Sequence, residues 1–407
     1  MTPSERTPRV VLAGGRVFDG QGGEPSSADV AIEGGRIVDV GPRLDGDESV
    51  DVAGRTLLPG MFDCHVHLIF SHIDMWRIVQ RPFSYQFYEA ERNLERTLRI
   101  GITSVRDAGG ADLGIKKAQA DGLIAGPRVQ ISLNMISQTG GHGDGWFPSG
   151  HLVQLQPPHP GLPYTIVDGP DEMRRMVRTL VRQGADVIKI ATSGGVLSPR
   201  DKPTHAHFRD AELEVVAAEA AAAGVFVMAH AQATDGIKAA VRAGIRSIEH
   251  GIFLDDEAIE MMKKRGTWLV PTLVAPRGVI EAAEAGAQIQ AESLVKAREV
   301  VDIHRQAFAR AVEAGVRIAM GTDSAVTPHG QNLRELALMV EGGMSPARVL
   351  AATTSSAAEL LGVGDELGTL EAGKRADVVV VDGDPYDFAT LAERIQAVYM
   401  DGRRVIG

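Results

Sequence analysis

His65 and His67 close a short apolar stretch, Gly60-Met61-Phe62-Asp63-Cys64-His65-Val66-His67. In a strand, residues two apart share a face, so two imidazoles would lie side by side as nitrogen ligands for one metal ion. A His-X-His alone is weak evidence, because most such pairs are surface or packing residues. Other apolar runs end in unusual residues too. Lys189 sits in Val187-Ile188-Lys189-Ile190, His230 follows Val225-Phe226-Val227-Met228-Ala229, His250 closes Ser247-Ile248-Glu249-His250, and Asp323 lies in Met320-Gly321-Thr322-Asp323-Ser324. Singly, each has an ordinary reading: a hydrogen-bonded core histidine, a strand-end lysine paired with a carboxylate, a helix N-cap. Together they are four imidazoles, a carboxylate and a lysine in runs that would otherwise be buried. Burying such groups is costly unless they pair or ligate a metal.

The residue types suggest the chemistry. Imidazole and carboxylate suit Zn²⁺ and similar divalent ions. Six protein groups exceed what one tetrahedral catalytic ion uses while keeping a position open for water, and two neighbouring ions use them better. A lysine ammonium would repel both. Converted by CO₂ to a carbamate, Lys189 becomes an anionic bridging ligand, and Asp323 can serve as general base toward a metal-bridging hydroxide.

These residues need elements that bring them to one place. The candidate strands are the run ending at His67, Ile102–Asp107, Arg128–Ser132, Val187–Ile190, Val225–His230, Ser247–His250, Trp268–Pro271 and Val316–Gly321. Helical patterns fall between several of them: Asp171–Gln183, Ala211–Ala223, Thr234–Ala243, Asp255–Arg265 and about Ala287–Ala314. Each stops beside a glycine, as C-capped helices do. Eight such units predict an α/β fold, a (β/α)₈ TIM barrel over residues 59–365, with chemistry at the C-terminal ends of its strands. Residues 1–58 and 366–407 read instead as short strands between glycine turns. Neither piece can bury a core alone, so the two are expected to combine into one small β-sandwich domain.

Composition narrows the partners. The 407 residues carry 42 Lys and Arg against 53 Asp and Glu, a net charge of -11, which disfavours nucleic acid or an anionic membrane. No run of about twenty apolar residues occurs. The single cysteine, Cys64, allows no intrachain disulfide and fits a reducing compartment. The start, Met1-Thr2-Pro3-Ser4-Glu5-Arg6, lacks the apolar run of a signal peptide, so a cytoplasmic location is expected. Large barrels commonly assemble, so a homo-oligomer is expected as well.

In the motifs Pro59–His67, Lys189, His230, Ser247–Gly251 and Gly321–Ser324, and in the return segment Gly368–Val378, the chain resembles the metal-dependent amidohydrolase superfamily. Val187–Gly195 and Thr139-Gly140-Gly141-His142-Gly143-Asp144 look most like its prolidase-like, Xaa dipeptidase branch, whose relatives include amidohydrolases that split ochratoxin A. The resemblance implies that His65, His67, Lys189, His230, His250 and Asp323 hold two divalent metal ions, Zn²⁺ being the expected metal, with Lys189 carboxylated and Asp323 also the base. It implies that His142 contacts substrate, polarising the scissile carbonyl or binding a carboxylate. The expected reaction is hydrolysis of the amide of a C-terminal amino acid, in a dipeptide, an N-acyl amino acid or an ochratoxin A-like amide. A cyclic amide or imidazolone hydrolase is the alternative, and a non-catalytic assembly protein a more distant one.

Secondary candidates surround this set. His329, in the loop after the eighth strand, could reach substrate. His72, His205 and His207 read as loop histidines, and Cys64 as packing. The segment 70–88 holds six of the nineteen aromatic residues and suggests a rim, a lid or a subunit interface.

Overall fold

A computed structural model describes residues 7–198 and 200–407; the Met1–Arg6 start lies outside them. All eight apolar runs are strands: β1 (Met61–Val66), β2 (Ile102–Asp107), β3 (Arg128–Ile131), β4 (Val187–Ala191), β5 (Phe226–Ala231), β6 (Ser247–His250), β7 (Trp268–Val270) and β8 (Arg317–Ile318). They pair in parallel and in chain order. One group runs β3-β2-β1; the other starts with the two residues Met135–Ile136 and continues through β4 to β8.

Hydrogen bonds join the two groups at both seams. Between β8 and β1, Cys64 N–H donates to Met320 O at 2.9 Å and Asp323 N–H to His65 O at 2.7 Å. Between β3 and β4, Asp186 N–H donates to Ile131 O at 2.8 Å. The chain leaves β3 at Ser132 and re-enters strand geometry at Met135, so one sequence run serves two neighbours in turn.

Helices alternate with the strands, among them Pro170–Arg182, Asp210–Ala222, Thr234–Ala243, Asp256–Arg265 and Ala291–Ala314, within a few residues of expectation. Gly244, Gly266 and Gly315 end three of them in the left-handed conformation. The helix Val274–Glu284 was not legible, because it contains Pro276 and Gly278. Pro276 falls in the first turn, where a missing N–H costs nothing.

The remaining strands draw on both chain ends. One sheet runs Arg36–Gly41, Asp29–Glu33, Val10–Ala13, Glu48–Asp51; the other runs Arg403–Ile406, Ile395–Met400, Val378–Asp382, Arg55–Pro59, Arg16–Val17, Ser26–Ser27. Val378–Asp382 lies antiparallel to Arg55–Pro59, tying the chain ends together. One apolar cluster spans both sheets, including Leu12, Ile32 and Ile37 from the first and Leu57, Val378 and Val380 from the second. From Pro59 the chain passes through Gly60 into β1. A Cβ on Gly60 would lie 2.1 Å from Thr103 Oγ1, so only glycine lets the strand approach β2 this closely.

Candidate active site

The expected ligands meet at the C-terminal ends of the parallel strands. The His65 and His67 rings are 5.6 Å apart, and Asp323 Oδ1 lies 3.4 Å from His65 Nε2 and 3.1 Å from His67 Nε2. These three residues offer ligand atoms that all lie within 4.8 Å of one another. Lys189 Nζ is 3.4 Å from His65 Nε2. The His250 ring lies 5.1 Å from His65 and 4.7 Å from His230, and His142 stacks on His230 at 4.1 Å. All seven side chains line one cavity of about 370 Å³.

Each of the four strand-end rings has one nitrogen tied back. His65 Nδ1 is 2.7 Å from Glu249 Oε2, His67 Nδ1 is 2.7 Å from Gly109 O, His250 Nδ1 is 2.6 Å from Thr272 Oγ1, and His230 Nε2 is 3.2 Å from Gly194 O. A nitrogen that donates to an oxygen leaves the other as a lone pair, the arrangement a metal-ligating histidine requires. The donor set therefore fits divalent ions: imidazoles with one nitrogen tied back and the other turned to the cavity, one carboxylate, and a lysine among them.

Burial, followed by the nearby positive charge of Lys189, holds His65 well below its usual range, and burial takes His250 down to about 3. Both rings are thus neutral. Burial also lowers Lys189, to about 8, leaving a share of its amine unprotonated near neutrality. Burial alone would raise Asp323, but its hydrogen bond to His67, a ring that the same bond raises against its burial, outweighs that and keeps it ionised.

Backbone strain gathers here as well. His250 (φ 71°), Thr272 (φ 53°) and Asp323 (φ 60°) are left-handed non-glycine residues, which persist only where the surroundings fix them. Asp63, buried under the β8 turn, is one such support. It accepts from Thr322 Oγ1 at 2.6 Å and from Asn332 Nδ2 at 2.8 Å.

Several supports were not among the expected site residues. Glu249 holds His65 and is itself paired with buried Arg106 at 3.0 Å. Asp201 and Ser198 stand behind His142. Glu249 carried a readable signal, an ionisable group in an apolar run; the Ser198–Asp201 segment looks like any polar turn. His329 is not brought to the cavity. It is buried, with Nε2 3.2 Å from the His67 carbonyl, because it braces the end of β1. His72 lines the cavity, whereas His205 and His207 do not. Cys64 is buried against Trp268, Val270 and Ala319, away from the ligands.

Residues 56–405 match the amidohydrolase family. Ochratoxinase of Aspergillus niger is 38% identical over 360 residues, covering 84% of this chain and 73% of that protein. The solved structure of that ochratoxinase matches with a TM-score of 0.87 at 33% identity, over 99% of this chain and 96% of the other. A Xaa-Pro dipeptidase with methionine bound in its active site gives a TM-score of 0.89 at 32% identity, over 98% of this chain and all of the other. A prolidase complexed with N-methylphosphonate-L-proline gives 0.89 at 34% identity, over 98% and 99%. With the match running almost from end to end, this chain belongs to the amidohydrolase family and is a hydrolase of amide bonds.

Proposed function

We propose that this hydrolase uses two metal ions to cleave the amide bond of a C-terminal amino acid, in a dipeptide, an N-acyl amino acid or an ochratoxin A-like amide that releases phenylalanine. One observation carries the reading: His65, His67 and Asp323 turn their ligand atoms toward a common point, with the other ring nitrogens tied back. On this reading the eight parallel strands close into a (β/α)₈ barrel over residues 59–365, with 1–58 and 366–407 as a β-sandwich domain. The seam hydrogen bonds and the shared apolar cluster support both.

His65, His67, Lys189, His230, His250 and Asp323 would hold the two ions, and the donor types favour Zn²⁺. Bound there, the ions would supply Lewis-acid charge and make water acidic enough to be a nucleophile near neutral pH. Lys189 would enter as a carbamate: its unprotonated Nζ attacks the carbon of CO₂, loses one proton to solvent and becomes an anionic ligand. Asp323 would take the proton of the attacking water and deliver it to the leaving nitrogen. His142 would meet the substrate. Phe70, Phe147, Val196, Leu197 and Ile252 give the cavity an apolar wall suited to an aromatic or large aliphatic side chain. Trp76, Phe83 and Tyr88 expose apolar surface that self-association into a homo-oligomer would cover.

The test is a panel of dipeptides, N-acyl amino acids and cyclic amides, assayed before and after chelation. Activity on carboxylate-bearing amides should fall at least about 100-fold on metal removal and return with Zn²⁺. Turnover of no member of the panel, or turnover indifferent to chelator, would refute the two-metal reading. Turnover of cyclic amides alone would favour the other hydrolase reading.

A further inference from the structure

Asp201 is a buried carboxylate that the reaction above does not use. It lies on the loop after β4, its side chain 3% exposed, with its oxygens facing four groups, Lys296 among them. Ser198 donates its hydroxyl proton to Oδ1, Gly195 N–H donates to Oδ2 at 3.2 Å, and His142 Nδ1 is 3.4 Å from Oδ2. Ser198 Oγ is also 2.7 Å from His142 Nδ1. Proton accounting settles the direction of that bond. The one hydroxyl proton of Ser198 is given to Asp201, so Ser198 accepts from His142, and Nδ1 carries a hydrogen. Nε2 is then the edge of the ring left for substrate, and it donates to a carboxylate there when the ring also carries a hydrogen on Nε2, with Asp201 as the counter-charge behind it.

The surroundings make this arrangement rigid. His142 lies nearly parallel to the His230 ring, at 15°. Gly195 packs against it so closely that a Cβ there would come within 2.3 Å of His142 Cε1. Lys296, on the helix Ala291–Ala314, holds the loop from behind. Its Nζ donates to the carbonyls of Gly195 at 3.1 Å, Ser198 at 2.5 Å and Asp201 at 2.7 Å, and lies 3.6 Å from Asp201 Oδ1. The same loop places Arg200 on the cavity wall, its guanidinium 4.7 Å from the centre of the Phe147 ring. Among the described residues no carboxylate pairs with Arg200, so this side of the cavity is where an anionic group finds a partner.

We propose that Asp201, acting through Ser198, is a positioning residue that aims His142 at the carboxylate of the substrate, with Arg200 beside it. This assignment rests on the proposed preference for amides of C-terminal amino acids. Asp201 touches neither substrate nor ligand residue; it fixes which edge of His142 the substrate meets.

The test compares an N-acyl amino acid with its carboxamide, in which the carboxylate is replaced by CONH₂. The wild type should prefer the acid at least about 100-fold in kcat/KM, the scale of losing a buried charged hydrogen bond. D201A should raise KM for the acid about tenfold or more and leave the carboxamide nearly unchanged, so the preference collapses. Asp201→Glu, which keeps a carboxylate in reach of Ser198, should restore part of it. S198A, a milder change, should move the preference the same way if D201A does not fold. A wild type indifferent to the carboxylate would overturn the substrate reading, and this assignment with it. A wild type that discriminates, with D201A or S198A discriminating equally well, would overturn the positioning role alone. Equal losses on acid and carboxamide would do the same, by assigning the loop a purely structural part.

Discussion

Replacing Lys189 with alanine should remove metal and activity together. Lys189 is fully buried, 3.4 Å from His65 Nε2, on a strand paired with the one that carries His230. An ammonium there would compete with cations for the same space, whereas a carbamate would bind them. Loss of a bridging ligand should lower kcat/KM by about 10³-fold or more and cut bound metal below one equivalent per chain. The truncation also leaves a space about the size of a short carboxylate. Added formate or acetate should therefore recover part of the metal content and of the activity in K189A. A K189A protein that keeps two equivalents of metal and full turnover would rule the bridge out. Metal content read by elemental analysis separates this outcome from simple misfolding, which circular dichroism would reveal.

The most legible parts of this molecule were groups that a buried strand does not tolerate without a reason. His65, Lys189, His230, His250 and Asp323 stood out because each interrupts an apolar run, and the structure brings all of them to one cavity. The strand order was legible for a related reason, since the runs are short and apolar and several are followed by a helical pattern with a glycine stop. Two features were hidden by local rules. Strand alternation would send Glu249 and His250 to opposite faces, yet Glu249 Oε2 bonds His65 and the His250 ring also lies against His65. The left-handed backbone of His250, at φ 71°, breaks the alternation, and no pattern in Ser247–His250 announces it. The supports of His142 were hidden by distance. Ser198 and Lys296 lie 56 and 98 residues from their partners His142 and Ser198, and only the packed loop brings them together. The expected reach of His329 to substrate failed for the same kind of reason. Its ring is buried and hydrogen-bonds to the backbone carbonyl of His67 at the end of β1 instead of facing the cavity.

Glu249→Gln should cost metal affinity without destroying the fold, and Glu249→Ala should cost both. Glu249 is buried and acceptor-only. It takes His65 Nδ1 at 2.7 Å, Arg106 at 3.0 and 3.2 Å, and Ser247 Oγ at 2.5 Å. Glutamine has one acceptor oxygen and cannot serve the same donors from both sides. If its oxygen faces Arg106, its amide donates toward His65 Nδ1, the ring proton moves to Nε2, and the lone pair meant for metal is lost. If its oxygen faces His65, amide hydrogens meet the guanidinium. Either way E249Q should weaken metal binding about 10- to 100-fold, the usual effect of removing a hydrogen-bond partner behind a ligating histidine. Alanine leaves Arg106, 2% exposed, as an uncompensated buried cation. That should destabilise the chain by about 3–5 kcal/mol and lower Tm by at least about 5 °C. The decisive comparison is metal titration of E249Q against wild type at equal Tm. Unchanged affinity would mean that His65 keeps its lone pair without help from Glu249, and the carboxylate would then serve only to neutralise Arg106.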